Sequence, residues 1–223
     1  MRKKKNSRYQ KGFASLILIF ILLIAVAMGG LFLYSRDKLG RKAEVEKEEP
    51  VASVISPEIE NILSKKMETL KVLAQNPVLI EESKKSSQKN ADLSQDAIVS
   101  LDKKWASEPK DSSYIKGFMT NAVASELIKF QKENPGFVEI FLTDKVGLNV
   151  GQTNKTSDFY QADEDWWTGA YDSGRGKSYH SEIEYDDSSG SQSISFYTAV
   201  EESDKVVGII KAVLDVSAIE EEL

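Results

Sequence analysis

The uncharged run at residues 13–34 constrains this chain more than any other feature, because none of its 22 residues carries a charge. At about 1.5 Å of rise per residue, a helix of that length crosses the roughly 30 Å hydrocarbon layer of a bilayer. Six basic residues and no acidic residue precede the run, whereas both signs mix after it. The positive-inside bias therefore predicts a single-pass anchor in the cell membrane, with residues 1–12 as a basic cytoplasmic tail and the rest of the chain extracytoplasmic.

Two other interpretations of the run remain open. A signal peptide has an apolar region of about 7–15 residues that ends at a small-residue cleavage site, and the Ala-Val-Ala at 25–27 has that form. The Lys-Gly-Phe at 11–13 resembles the processing site of type IV pilin-like proteins, although Ile17 stands where those proteins usually carry Glu. The second interpretation would make the chain a structural protein of the envelope.

Composition excludes several kinds of chemistry. The residues that follow the basic tail comprise 23 basic against 35 acidic side chains, so nucleic acid is not an expected partner. The chain has no cysteine, which excludes disulfides, thiolate metal sites and a thiol nucleophile. His180 is the single histidine, so a metal site with several histidines is impossible. We therefore predict neither a metal nor a cofactor.

The first half of the domain has helical patterns. Three start signals agree at 56–58, where Ser, Pro and Glu supply a cap, a first helical residue and an acid in the first turn. Apolar residues then recur at helical spacing, at Ile59, Ile62, Leu63, Met67, Leu70, Leu73 and Ala74. The Asn-Pro at 76–77 breaks this helix, and the polar composition of 83–96 predicts a loop. Further helices are expected near 93–105 and 120–134.

From residue 137 the pattern changes to strands. Segments 137–143 and 148–153, joined by turn residues, predict a hairpin, and a short helix follows at 163–171 with Asp163 as its candidate cap. Three more strand-like segments lie at 178–185, which includes His180, at 191–200 and at 206–216. Helices followed by antiparallel strands predict an α+β domain with a sheet of about five strands.

Three pieces of sequence carry a resemblance to a known family. They are Thr143-Asp144 with Gly147, then Asp158-Phe159-Tyr160 leading through an acidic run to Trp166-Trp167, and the closing segment at 206–217, which reads VVGIIKAVLDVS. In this order they resemble the Cache superfamily of extracytoplasmic PAS-like sensor domains, over roughly residues 50–220.

The resemblance implies a long helix followed by a PAS-like antiparallel sheet, with a small ligand between the sheet and residues 158–171. It also implies that Asp215 holds the amine of the ligand. Relatives that bind amino acids usually have an Arg before the aromatic pair, whereas this chain has Glu164 and Asp165, so an amino acid is not the expected ligand. Receptors of this kind continue past the closing strand, but this chain ends at Leu223. We therefore expect its output to pass through a partner receptor or a homodimer.

The residues themselves point to the same region. Nine acids lie between residues 158 and 187 against two basic residues, with seven aromatic residues among them. Aromatic walls beside carboxylates suit an amine or another cation, although the acids could equally form a solvated face, and only one Trp of the pair can face a given pocket. The predicted ligand-binding residues are Phe159, Tyr160, Asp163, Asp165, Trp166, Trp167, Tyr179, Tyr185, Asp186 and Asp215.

The sequence thus predicts a basic tail at 1–12, an anchor at 13–34 that contacts membrane lipid, a charged linker at 35–50 and a sensor domain at 51–223. The predicted function is small-molecule binding, without catalytic residues. Two alternatives remain: a structural, pilin-like envelope protein, and a hydrolase that uses paired carboxylates among Asp163, Asp165 and Asp186.

Overall fold

The computed structural model describes residues 56–186 and 191–223. The predicted tail, anchor and linker lie outside the described residues, and so does the turn at 187–190. The described residues belong to one compact unit. Within the two described ranges, no helix combines the length and the apolar character needed to cross a bilayer.

Five helices precede the sheet, and each follows a Ser or Asn that caps its first turn. They are α1 (Pro57–Ala74), α2 (Pro77–Asn90), α3 (Gln95–Ser107), α4 (Ser113–Met119) and α5 (Ala122–Glu133). The residue before each helix, Ser or Asn in every case, accepts a hydrogen bond from a backbone N–H of the first turn. The predicted start of α1 is confirmed. The helices predicted near 93–105 and 120–134 are present at Gln95–Ser107 and Ala122–Glu133, whereas α4 was not predicted.

Helix α2 overturns the prediction of a loop that begins at residue 83, because the helix continues without a break to Asn90. Its inner face carries the small side chains of Ser83 and Ser87, which are buried against the sheet. Gly208 lies beneath them, so close that an added Cβ would stand 2.7 Å from the Ser83 hydroxyl. A serine-rich segment resembles a loop in composition, but here small residues let a helix approach the sheet closely.

The sheet is antiparallel throughout and has six strands among the described residues. They are β1 (Phe137–Asp144), β2 (Asn149–Gln152), β3 (Tyr179–His180), β4 (Glu184–Asp186), β5 (Ser191–Glu202) and β6 (Lys205–Asp215). The order is β2-β1-β6-β5-β3, and β4 also pairs with β5. The predicted α+β class and hairpin are confirmed, and the strand expected at 178–185 consists of two short pieces, with His180 in the first.

Two short helices complete the fold, α6 (Asp165–Tyr171) and α7 (Ser217–Glu220). Helix α6 begins two residues later than predicted, because Glu164 and not Asp163 occupies the cap position. No side chain caps this helix, so the cap predicted at Asp163 is wrong.

The two faces of the sheet have different roles. One face packs against α1, α2 and α5 and forms the main core, with side chains such as Ile140, Leu142, Phe196, Ile210 and Leu214. The opposite face carries Phe141, Tyr197 and Lys211 and is covered by α6. A second apolar cluster joins α3 and α4 to the chain after β2 through Trp105, Phe118 and Phe159.

Candidate functional site

A cavity of about 140 Å³ lies between the second face of the sheet and the loop at 153–161. Its lining consists of Glu139, Phe141, Lys155, Thr156, Ser157, Gln161 and Lys211. The sheet supplies three of these side chains and the 153–161 loop supplies four. An engineered apolar cavity of about 150 Å³ binds benzene, so this volume suits a molecule of about six non-hydrogen atoms.

The floor of the cavity is formed by Phe141 and Lys211, which belong to a row of side chains across three strands. Phe141, Lys211 and Tyr197 lie opposite one another in β1, β6 and β5, so they share one face. Trp166 of α6 stacks on Tyr197 with ring centroids 5.2 Å apart. The Lys211 ammonium lies 5.1 Å from the Trp166 ring centroid and 6.0 Å from those of Phe141 and Tyr197. These aromatic faces therefore surround a cation that belongs to the protein itself.

The 153–161 loop is cross-linked by its own polar groups. The Asn149 side-chain amide donates to the Thr156 hydroxyl at 2.8 Å, and that hydroxyl donates to the Asp158 carbonyl at 2.7 Å. The Gln161 side-chain amide donates to the same carbonyl at 2.8 Å. These bonds hold two residues of the lining, Thr156 and Gln161, in fixed positions.

Helix α3 fastens the same loop to the domain. The Asp102 carboxylate accepts from the backbone N–H groups of Phe159 and Tyr160, at 2.7 and 3.0 Å. The indole N–H of Trp105, which is fully buried, donates to the Thr156 carbonyl at 2.9 Å. The loop that closes the cavity is thus held by a helix that does not itself line it.

We expect Asp102→Ala to loosen the loop without unfolding the domain. Hydrogen bonds to a charged group contribute about 1.5–3 kcal/mol, so the amides of Phe159 and Tyr160 should exchange with solvent roughly 10- to 100-fold faster. Hydrogen exchange of the purified chain measures this directly. Asp96→Ala, an exposed position on the same helix, is the matched control and should leave both amides unchanged. Unchanged exchange in Asp102→Ala would show that the loop is held by other contacts.

The lining contains two basic side chains and one acidic side chain, Lys155, Lys211 and Glu139. The Lys155 ammonium donates to the Glu108 carbonyl at 2.9 Å, which holds it at the edge of the loop. Beside Lys211, burial raises the pKa of the Tyr197 hydroxyl to about 12, so this ring stays neutral at physiological pH. The site therefore offers more positive than negative charge, which suits an anionic or zwitterionic group.

None of the ten residues predicted from the sequence is among the seven that line this cavity, but two lie beside its floor. Trp166 contacts the floor through Phe141 and Lys211. The Tyr179 hydroxyl donates to the Trp166 carbonyl at 2.8 Å, and its ring centroid lies 4.8 Å from that of Tyr197. These two aromatic residues pack beside the floor, on the same face of the sheet.

Phe159 and Trp167 are buried in apolar clusters. The Phe159 ring packs on Trp105 with centroids 5.1 Å apart. The Trp167 indole N–H donates to the Thr143 hydroxyl at 2.8 Å, while its ring stacks on Tyr171 at 4.8 Å. Both side chains therefore have packing partners within the domain.

Three of the predicted acids have positions outside the cavity lining. Asp163 and Asp165 are exposed near the start of α6. Asp215 accepts from the hydroxyl and the backbone N–H of Ser217, at 2.7 and 2.8 Å, and these hydrogen bonds lower the pKa of its carboxyl group. Asp215 thus holds the turn into α7.

The remaining predicted residues lie apart from the cavity lining. Tyr160 forms an isolated backbone bridge with Leu148, and burial raises the pKa of its hydroxyl. Tyr185 is 61% exposed on β4, and Asp186 is the last residue of that strand. Within the described part of the chain, no group of three or more acidic or histidine side chains is placed to hold a metal ion.

The sequence does carry one signal for Lys211. This lysine interrupts an apolar run in β6, a strand that lies between β1 and β5 in the sheet. Its place on the strand, opposite Phe141 and Tyr197, follows only from the pairing register. A charged residue inside an apolar central strand is therefore the feature from which the site could have been predicted.

Other, larger cavities lie elsewhere in the described structure, among them a cleft of about 240 Å³ between the end of α1 and α5. A groove of about 470 Å³ lies near the start of α1 and beside α7, and its lining is mostly apolar, with Ile59, Leu63, Ile194, Val216 and Ile219 among its residues. A polar cleft of about 250 Å³ lies at the end of α1, beside Lys71, Lys177 and Glu201. The smaller cavity combines buried lining residues (Phe141, Thr156 and Gln161) with charges of both signs, so it is the candidate site.

No family model matches the chain, and no curated protein matches it. Solved structures of chemoreceptor sensory domains do. The sensory domain of Tlp3 from Campylobacter jejuni is 15% identical with a TM-score of 0.39, over 74% of this chain and 64% of that one. The ligand-binding domain of CtaA from Pseudomonas fluorescens, solved with L-serine, is 18% identical with a TM-score of 0.39, over 74% and 58%. That of PctC from Pseudomonas aeruginosa, solved with GABA, is 16% identical with a TM-score of 0.40, over 74% and 60%.

These structures are sensory domains of chemoreceptors, the class of protein that the sequence resemblance indicated. The chain spans less than two thirds of the length of each of the three. With TM-scores no higher than 0.40 the likeness is distant, and no residue role is carried over from it.

Proposed function

We propose that residues 51–223 are an extracytoplasmic domain that binds a small molecule and is held at the cell membrane by the anchor at 13–34. One observation supports this above the others: a cavity with charges of both signs lies between the sheet face at Phe141 and Lys211 and the 153–161 loop. Small-molecule sites are typically concave and combine an aromatic wall with a few polar groups. The carboxylates of a hydrolase would have to converge, and Asp163 and Asp165 are instead exposed.

The ligand that fits this lining carries an anionic group, such as a carboxylate. The sequence favoured a cation because aromatic rings and acids alternate near Trp166. In the structure the Lys211 ammonium lies beside that ring, and a ligand cation would meet its positive charge. Glu139 belongs to the same lining, so the site also contains one negative charge.

The response to binding would pass through a partner, either a membrane receptor or a second copy of the chain. Helix α1 has 18 residues and follows the predicted anchor and linker in the sequence. We therefore propose α1 as the segment that contacts the partner. A ligand shifts such an arrangement only if it binds one state better than the other.

A thermal-shift screen of the purified chain against carboxylates, amino acids and amines tests the proposal. A ligand at 100-fold its dissociation constant adds about 2.7 kcal/mol of stability, which raises the melting temperature by roughly 5–10 °C for a domain of this size. We expect hits among compounds with a carboxylate and none among simple amines. A panel in which only amines raise the melting temperature would contradict the proposed ligand class, and a panel without hits would count against binding.

We expect Lys211→Met to weaken binding of such a hit about 10- to 100-fold, because a charge-assisted hydrogen bond contributes about 1.5–3 kcal/mol. Calorimetric titration measures the change. Lys205→Met, at the exposed start of the same strand, is the control and should bind as the original chain does. Equal affinity in both variants would place the ligand elsewhere.

A further inference from the structure

Two amide side chains of β2 are buried with polar atoms that lack a partner. Gln152 is 0% exposed, and neither its amide nitrogen nor its amide oxygen forms a hydrogen bond within the described structure. Asn149 is 2% exposed, and its amide oxygen is also unpaired. Buried polar groups in native proteins nearly always have a protein or water partner, so three such atoms on one short strand require an explanation.

The unpaired atoms belong to side chains that pair with or contact residues of the candidate site. Gln152 stands opposite Phe141 in the β1–β2 pair, and paired residues share a face with their Cβ atoms about 4.5–5.5 Å apart. Asn149 donates from its amide nitrogen to the Thr156 hydroxyl at 2.8 Å. Phe141 and Thr156 both line the cavity, so each orphaned amide is one side chain away from it.

The set of unpaired atoms defines the chemistry of the missing partner. Gln152 offers one donor group and one acceptor, and Asn149 offers a second acceptor. Turning the Gln152 amide over exchanges its two atoms and leaves the same set. A carboxylate would oppose two acceptors, and an ammonium would leave the donor unpaired. An oxygen that carries hydrogen can accept from the donor and donate to an acceptor; a hydroxyl donates to one of the two acceptors and a water molecule can donate to both.

We propose that the amides of Gln152 and Asn149 bind such a hydroxyl-type oxygen in a buried compartment beside Phe141 and Thr156. Water and a ligand hydroxyl are the two sources of this oxygen. If a ligand supplies the oxygen, the inference rests on the proposed function and specifies it further: the preferred molecule carries a hydroxyl in addition to its anionic group. The part that concerns water does not depend on ligand binding.

A crystal structure of the purified chain, at a resolution that shows ordered water, tests the compartment itself. We expect an oxygen within about 3.2 Å of a Gln152 amide atom and of the Asn149 amide oxygen. An empty compartment, or a Gln152 side chain that bonds only to protein atoms, would overturn the proposal.

The variant Gln152→Met gives a second test by the sign of its effect. Replacing a buried amide that truly lacks a partner with an apolar side chain of similar shape should stabilise the chain, whereas losing a bound oxygen should destabilise it. We expect the melting temperature to fall by about 2–4 °C. Gln131→Met is the matched control, because the Gln131 amide donates to the Phe137 carbonyl at 3.0 Å and its loss calibrates one hydrogen bond. A rise in Gln152→Met would contradict the proposal.

The source of the oxygen is tested with two probes that differ by one hydroxyl, L-lactate and propionate. The measurement is the NMR signal of the Gln152 side-chain amide. A shift with lactate alone would assign the oxygen to a ligand hydroxyl, and no shift with either probe, together with crystallographic density, would assign it to water. Equal shifts with both would mean that the compartment binds the carboxylate, which would overturn the proposal. The thermal-shift screen and the crystal structure are independent tests. If the screen gave no hits, the crystallographic result at Gln152 would still hold.

Discussion

Replacing Asp144 with alanine is expected to lower the free energy of unfolding by about 3–5 kcal/mol, the largest effect of any substitution considered for this domain. Asp144 ends β1 and is 0% exposed. One carboxylate oxygen accepts from the backbone N–H groups of Val146 and Leu148, at 2.9 and 3.1 Å. The other accepts from Ser86 and Asn90 of α2, both at 2.8 Å. Alanine would leave these four donors without their acceptor in a buried place.

Chemical denaturation of the purified chain measures the loss, and Asp144→Asn gives a graded comparison. Asparagine keeps an amide oxygen that accepts from the two backbone groups of the turn, but its amide NH₂ group faces the Asn90 amide nitrogen, which is also a donor. An intermediate loss of about 1–2 kcal/mol is therefore expected. Asp92→Ala, at an exposed position between α2 and α3, should change the free energy of unfolding by less than about 0.5 kcal/mol. If Asp144→Ala proved as mild as Asp92→Ala, the contact between α2 and the β1–β2 hairpin would contribute little to stability.

Gly208→Ala is expected to cost about 3 kcal/mol or more. A Cβ at this position in β6 would stand 2.4 Å from the Thr143 carbonyl oxygen and 2.7 Å from the Ser83 hydroxyl. The first of these contacts is backbone within the sheet, so it cannot move without disturbing the pairing of β1 with β6. The clash therefore forces either the strands or α2 to shift.

The chain supplies a matched control for this glycine. An added Cβ at Gly117, in α4, would meet nothing within 4 Å. Gly117→Ala should therefore stabilise the chain by up to about 1 kcal/mol, as alanine does inside helices. Denaturation curves of both variants give the two free energies, and a small effect at Gly208 would show that α2 does not lie as close to the sheet as described.

The local signals in the sequence predicted the elements that depend on local chemistry. Ser56 and Pro57 mark the start of α1 because a cap and a fixed backbone angle act within one turn. The change from helical to strand pattern at residue 137 likewise marks the start of β1. Helix α2 escaped prediction because Ser83 and Ser87 are buried by a contact more than a hundred residues away, with the strand that contains Gly208.

The candidate site was harder to predict for a related reason. The acids and rings of 158–187 form a conspicuous pattern, but several of them pack in the interior or face solvent. The cavity lies instead between the side chains of Phe141 and Lys211 and the 153–161 loop. The pairing register of the strands determines that these two side chains lie next to each other. A single lysine in an apolar strand carries no information about which rings will surround it until the strands are paired.

The most direct test of the account is a crystal structure of the chain with a hit from the thermal-shift screen. We expect ligand density between Phe141, Lys211 and the 153–161 loop, with the anionic group of the ligand toward the Lys211 ammonium. Density in the apolar groove beside Ile59 and Ile219 instead, with the smaller cavity empty, would contradict it.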